Sequence, residues 1–134
     1  MTVSRRLVLL VVAGTIVLIA GLALLVVRLF EYSRAVQTND AVCVISGALA
    51  ELYQKKRTPK PEDVDDAIRS LIRTSVIDGK IGPDQKPLDP YGTPYRVNAG
   101  SEGSTRKVTV TSAGPDRIFD TADDIAHDTA WEQP

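Results

Sequence analysis

From Leu7 to Val27 the chain reads "LVLLVVAGTIVLIAGLALLVV", without a single charge. At helical rise such a run spans about 30 Å, the thickness of a bilayer's hydrocarbon core. Its one polar side chain, Thr15, is able to bond back to its own helix. The pattern predicts a membrane-spanning helix. A cleaved signal peptide would have an apolar region of only ~7–15 residues. A small-residue site exists at Ala20–Ala23, but apolar sequence continues past it, so an uncleaved anchor is expected. Gly14 and Gly21 share a helix face, which suits helix packing in a membrane or ordinary glycine tolerance there.

The helical pattern then continues without a linker. Val42, Ile45, Leu49, Leu52 and Lys56 recur at alternating spacings of three and four, an amphipathic stripe whose Leu49 and Leu52 should lie in a core. Cys43 and Val44 flank it, and Cys43 is expected as a small buried hydrophobe. Gly47 weakens the helix or admits a close neighbour. "RTPKP" ends the helix, and Pro61 suits the first position of the next. Glu62 and Asp63 favour that helix's N-terminal dipole. Val64, Ala67, Ile68, Leu71 and Ile72 form its apolar face, with Asp65 and Arg69 as an i,i+4 pair on the wet side.

Asp78–Lys80 reads as a turn, and the breaker-rich stretch "IGPDQKPLDPYGTPYRV" as loop until Tyr95. "YRVNA" starts a strand and "GSEGS" turns it. Thr105–Ser112 is the clearest strand, with Val108 and Val110 alternating against Lys107, Thr109 and Thr111. "DIAHDTAW" returns as a last strand that places Ile125 and Trp131 against the core. The expected fold class is α+β: a transmembrane helix continuing into a long amphipathic helix, a shorter second helix and a small antiparallel sheet. Residues 1–30 form the N-terminus and anchor, and residues 31–134 the soluble domain.

Composition narrows function. The 134 residues carry a net charge of −1, so nucleic acid is not an expected partner. One cysteine excludes an intrachain disulfide and cysteine-pair metal motifs, and one histidine leaves little for zinc or triad chemistry. No enzyme activity and no small-molecule substrate are expected. Arg5 and Arg6 before the span nearly balance Arg28 and Arg34 after it. That near tie leaves the shortness of the N-terminal flank to decide, which places the flank in the cytoplasm and the domain outside, in a single-pass topology.

Two short stretches stand out, the first as a turn and not as chemistry, the second as the candidate site. In "DPYGTPY" (Asp89–Tyr95), Asp89, Pro90 and Gly92 suit positions i, i+1 and i+3 of a type I turn. Pro94 extends Thr93, and Tyr95 packs inward. "SAGPDRIFDTADDI" (Ser112–Ile125) gathers Asp116, Asp120, Asp123 and Asp124. Either Asp120 caps one helical turn over Thr121–Asp124 and the other acids are solvated, or the loop is a cage for a hard cation. Ile118 and His127 at the third and twelfth positions counted from Asp116 exclude an EF-hand.

"GALAELY", "DPYGTPY", "TSAGPD" and "TADDI" follow in that order between Ala41 and Ile125. In this the chain resembles the major pseudopilins of type II secretion, part of the type IV pilin-like superfamily. The resemblance implies a structural subunit of the inner (cytoplasmic) membrane, its domain periplasmic or extracellular, packing against like subunits or other secretion-system pseudopilins. It also implies calcium in the acidic loop, with carboxylates from Asp116, Asp123 and Asp124 and carbonyls from Ala113 and Ile118. Asp120 would be a fourth carboxylate. Arg117 and Asp120 stand where glycine is usual. No acidic residue occurs before Glu31, so the prepilin processing signal is not expected. The alternative is a calcium-stabilised binding module on a membrane anchor, without a filament. An enzyme using His127 beside Asp128, or an aspartate pair, ranks last.

Overall fold

The computed structural model describes residues 5–132 of the chain. The flank before Arg5, placed above in the cytoplasm, lies outside them. The fold is α+β, with two helices and five strands: α1 (Arg5–Lys55), α2 (Pro61–Arg73), β1 (Lys80–Ile81), β2 (Pro87–Leu88), β3 (Arg96–Glu102), β4 (Thr105–Ser112) and β5 (Ile125–Glu132). Packing divides the chain into two units between Ser33 and Arg34.

In the first unit, α1 exposes its valines, leucines and isoleucines all round. Among the described residues this is the one helix long and apolar enough to cross a membrane. Thr15 Oγ1 donates to the Val11 carbonyl at 2.8 Å, so the only hydroxyl of the apolar run is satisfied within its own helix.

The second unit has a core built from three elements, with Ile77 added from the segment after α2. Ala41, Val42, Ile45, Leu49 and Ala50 come from α1, Val64 and Ile68 from α2, and Val108 and Val110 from β4. Leu52 is only half-buried at the margin, along with Tyr53, Ile125 and Trp131. Cys43 is exposed, not buried as its neighbours suggested. Helix α1 is covered along the Val42–Ile45–Leu49 stripe, and Cys43 and Val44 lie beyond its edge.

Pro61 does start α2, and Asp63 Oδ2 accepts the Lys60 N–H at 2.9 Å. Arg69 pairs with Asp66, one turn away on the exposed side, and also donates to the Gln85 carbonyl. The expected Asp65 partner is half-buried instead. The turn after α2 falls at Thr74–Ile77, because Ser75 adopts a positive φ of 57° and the Val76 N–H bonds back to Leu71. Lys80 already belongs to a strand. The stretch read as loop holds a two-stranded hairpin, β1–β2, closed by Gly82 N–H to Lys86 O at 2.8 Å. Such short strands leave no alternation to read.

Strands β3, β4 and β5 form a second, antiparallel sheet in that order. β4 occupies the expected residues. β3 runs on through Glu102, so the turn is only Gly103–Ser104, with Gly103 at φ 61°. The inward side chains of β5 are Ile125, His127, Thr129 and Trp131. Ser46 of α1 is fully buried against this face and contacts His127 Nδ1 at 2.9 Å and Thr129 Oγ1 at 2.8 Å.

Candidate functional site

The acidic loop is the connection Ala113–Asp124 between two neighbouring strands. Its ends are held at the last rung of the ladder, Ser112 opposite Ile125. Below it lies an unexpected buried carboxylate. Asp89 is fully buried. Its Oδ1 accepts the N–H groups of Tyr91 at 3.0 Å and Thr93 at 2.8 Å, as an aspartate at the start of a turn does. Its Oδ2 accepts the Ser112 hydroxyl at 2.5 Å, and Ser112 Oγ in turn accepts the Gly114 N–H at 3.2 Å. The expected turn is present, with Gly92 N–H to Asp89 O at 2.9 Å and Gly92 at φ 89°. Sequence alone assigned Asp89 to that turn; its side chain also joins the turn to the root of the acidic loop.

Gly114 makes the first bend, at φ 65°, where a Cβ would overlap the Asp123 carbonyl oxygen. The two ends of the loop therefore touch through backbone. Arg117 (φ 60°) and Asp120 (φ 70°) also take the left-handed conformation that costs a side-chain-bearing residue energy. These are the two positions where the resemblance expects glycine, so the backbone adopts glycine-like geometry there despite the substitutions.

The carboxylates then divide. Asp116 Oδ1 accepts the Ile118 N–H at 2.8 Å, closing a local turn. Asp120 leaves the loop's centre: its Oδ1 meets Arg96 Nη1 at 2.8 Å, while the guanidinium carbon of Arg96 sits 4.0 Å from the centre of the Phe119 ring. No helical turn is capped by Asp120; instead the Asp124 carboxylate accepts the Asp120 N–H at 2.8 Å. Asp123 Oδ2 accepts the Asp116 N–H at 3.1 Å.

Three candidate ligands meet at a residue that sequence reasoning missed. Around Thr121 Oγ1 lie Asp123 Oδ1 at 2.6 Å, the Ile118 carbonyl at 3.1 Å and Asp124 Oδ1 at 3.5 Å. Four oxygens share one hydroxyl proton. The Thr121 hydroxyl, and next the Asp116 N–H, hold the Asp123 carboxyl below the usual carboxylate range, so that acid stays charged at neutral pH. Oxygen-only donors with a shortage of protons fit a hard cation such as calcium. Among the described residues, no three Asp, Glu, His or Cys side chains converge as a metal cluster, so any such ion would rely on carbonyl, hydroxyl and water oxygens as well. Ala113 is buried at the loop's start. The only signal for Thr121 was its place two residues before the aspartate pair.

The His127–Asp128 neighbours point apart. His127 turns inward to Ser46, while Asp128 pairs with Lys107 on the opposite face at 3.2 Å. Asp128 therefore does not orient the imidazole. No family model, curated protein or solved structure matches this chain.

Proposed function

We propose that this chain is a membrane-anchored, pseudopilin-like structural protein, with calcium bound in the β4–β5 loop. The observation that carries the reading is the convergence of Asp123, Asp124 and the Ile118 carbonyl on Thr121, in a loop whose left-handed positions coincide with the glycines of the pseudopilin pattern. The link from Asp89 to Ser112 supports it further, because it gives the two resembling motifs one shared purpose. Asp123 and Asp124, with the Ile118 carbonyl and Thr121, would hold the ion. Its charge would offset the repulsion of the two acids and fasten the end of β4 to the start of β5. The apolar part of α1 would anchor the chain in the inner membrane with the domain outside, beside like subunits. Extracellular modules often bind calcium at roughly 0.1–1 mM, which suits that location.

Binding only the folded form stabilises it by about 2.7 kcal/mol at a hundredfold excess over Kd. Thermal unfolding in EDTA and in millimolar calcium should therefore differ by several degrees for the parent and little for Asp124→Ala. Identical melting of the parent in both media would reject the calcium loop. If calcium binds but the full chain stays monomeric in the membrane, the non-filamentous binding module is the better reading.

A further inference from the structure

At the end of β4 remote from the acidic loop, the sheet, the last turn of α1 and the residues just after it line a cleft of about 320 Å³. This is within the usual size range of small-ligand sites. Tyr53 and Trp131 form an aromatic wall, their ring centroids 6.4 Å apart and their planes tilted by 40°. Arg57, Thr58, Ser101, Arg106 and Lys107 supply its polar groups, and no carboxylate lines it.

The charges do not cancel. Lys107 is paired with Asp128. Arg106 spends one nitrogen on the Arg57 carbonyl at 3.1 Å, which leaves most of its fork unused. Among the described residues the Arg57 side chain makes no ion pair or hydrogen bond. The C-terminal end of α1 opposes an anion with roughly half a negative charge. Two guanidinium groups exceed it about fourfold.

We propose that this cleft binds a carboxylate carried on a flat apolar group. Guanidinium is planar and matches a carboxylate's two oxygens, whereas the aromatic wall favours a ring or similar flat body over a bare ion. Either a free aromatic acid or the chain end of a polypeptide finishing in an aromatic residue has this chemistry. The site is separate from the acidic loop and does not depend on calcium.

Trp131 is the chain's only tryptophan, so its fluorescence reports on the cleft directly. The full chain in phosphatidylcholine vesicles would be titrated with N-acetylphenylalanine, its amide, the tripeptide Gly-Gly-Phe and inorganic phosphate. The acid should change Trp131 emission saturably. The amide, phosphate and the Arg57→Gln variant should each bind at least about tenfold more weakly, the loss expected for a charge-assisted hydrogen bond. Because Arg106 also holds a backbone carbonyl, Arg57→Gln is the decisive variant, with circular dichroism confirming its fold. Binding of the tripeptide as tightly as the acid would assign a polypeptide chain end; much weaker binding would assign a free acid. The proposal is overturned if acid and amide bind alike, if phosphate binds as well as the acid, if Arg57→Gln is unaffected, or if emission never changes.

Discussion

Asp89 and Tyr95 stand six residues apart and have opposite energetics. Asp89 accepts hydrogen bonds from two backbone N–H groups and one hydroxyl in a fully buried place. Removing it strands those donors, each at a cost of about 1–3 kcal/mol. Asp89→Ala should lower stability by roughly 3 kcal/mol in urea unfolding, and a loss below about 1 kcal/mol would mean the network is replaced by water. The Tyr95 hydroxyl, by contrast, is buried with no partner among the described residues, and burial pushes its phenol pKa well up. Tyr95→Phe should therefore be neutral or slightly stabilising in the same assay. Gly92 has open space around it, so Gly92→Val would strain only the backbone at φ 89°, by about 1–3 kcal/mol.

Among the elements, α1 contributes most to the core, and its buried stripe is narrower than the apolar spacing implies. Leu49 is fully buried, and Leu49→Ala should cost roughly 2–5 kcal/mol. Leu52 is half-exposed, and Leu52→Ala should cost clearly less. Equal losses in thermal unfolding would show that the sheet covers Leu52 more fully. Helix α2 and the outer face of the sheet add a dependence on pH. The Lys56 ammonium, then the Lys60 N–H, hold the Asp63 carboxyl below its usual range. The Thr109 hydroxyl, then Lys107, do the same for Asp128. A carboxylate with a lowered folded pKa contributes stability that is complete above its unfolded value, near pH 3.9. That contribution is lost as pH falls through the lowered folded value. Urea midpoints should thus drop on acidification below about pH 4, and less steeply in an Asp63→Asn, Asp128→Asn double variant. A parallel decline would place the acid sensitivity elsewhere.

In the whole molecule, the core of the second unit draws on α1 beyond Ser33, α2 and the sheet. Its apolar faces close on one another, so a chain lacking residues 1–30 should be soluble and unfold cooperatively. Aggregation of that truncate, even with calcium, would show that the part of α1 it retains, Glu31–Lys55, needs a partner. Intact mass of the membrane-extracted chain should include the whole apolar span, and a product beginning between Ala13 and Leu24 would show that the span is processed.

The apolar run of α1, the start of α2 at Pro61 and the alternation of β4 were legible from residue order, because each rests on interactions within a few residues of chain. The aspartates of the loop were also visible as a group. Which of them face one another was not, because those choices are made across space. Asp120 goes to Arg96, twenty-four positions away in sequence, and Asp89 reaches Ser112, twenty-three away. Cys43 is exposed because the sheet covers the neighbouring stripe of α1, a matter of where one element lies on another. The β1–β2 hairpin escaped notice since two residues show no period. Periodicity records which side of an element is apolar. Only packing decides how much of that side is covered, and which distant polar group each side chain meets.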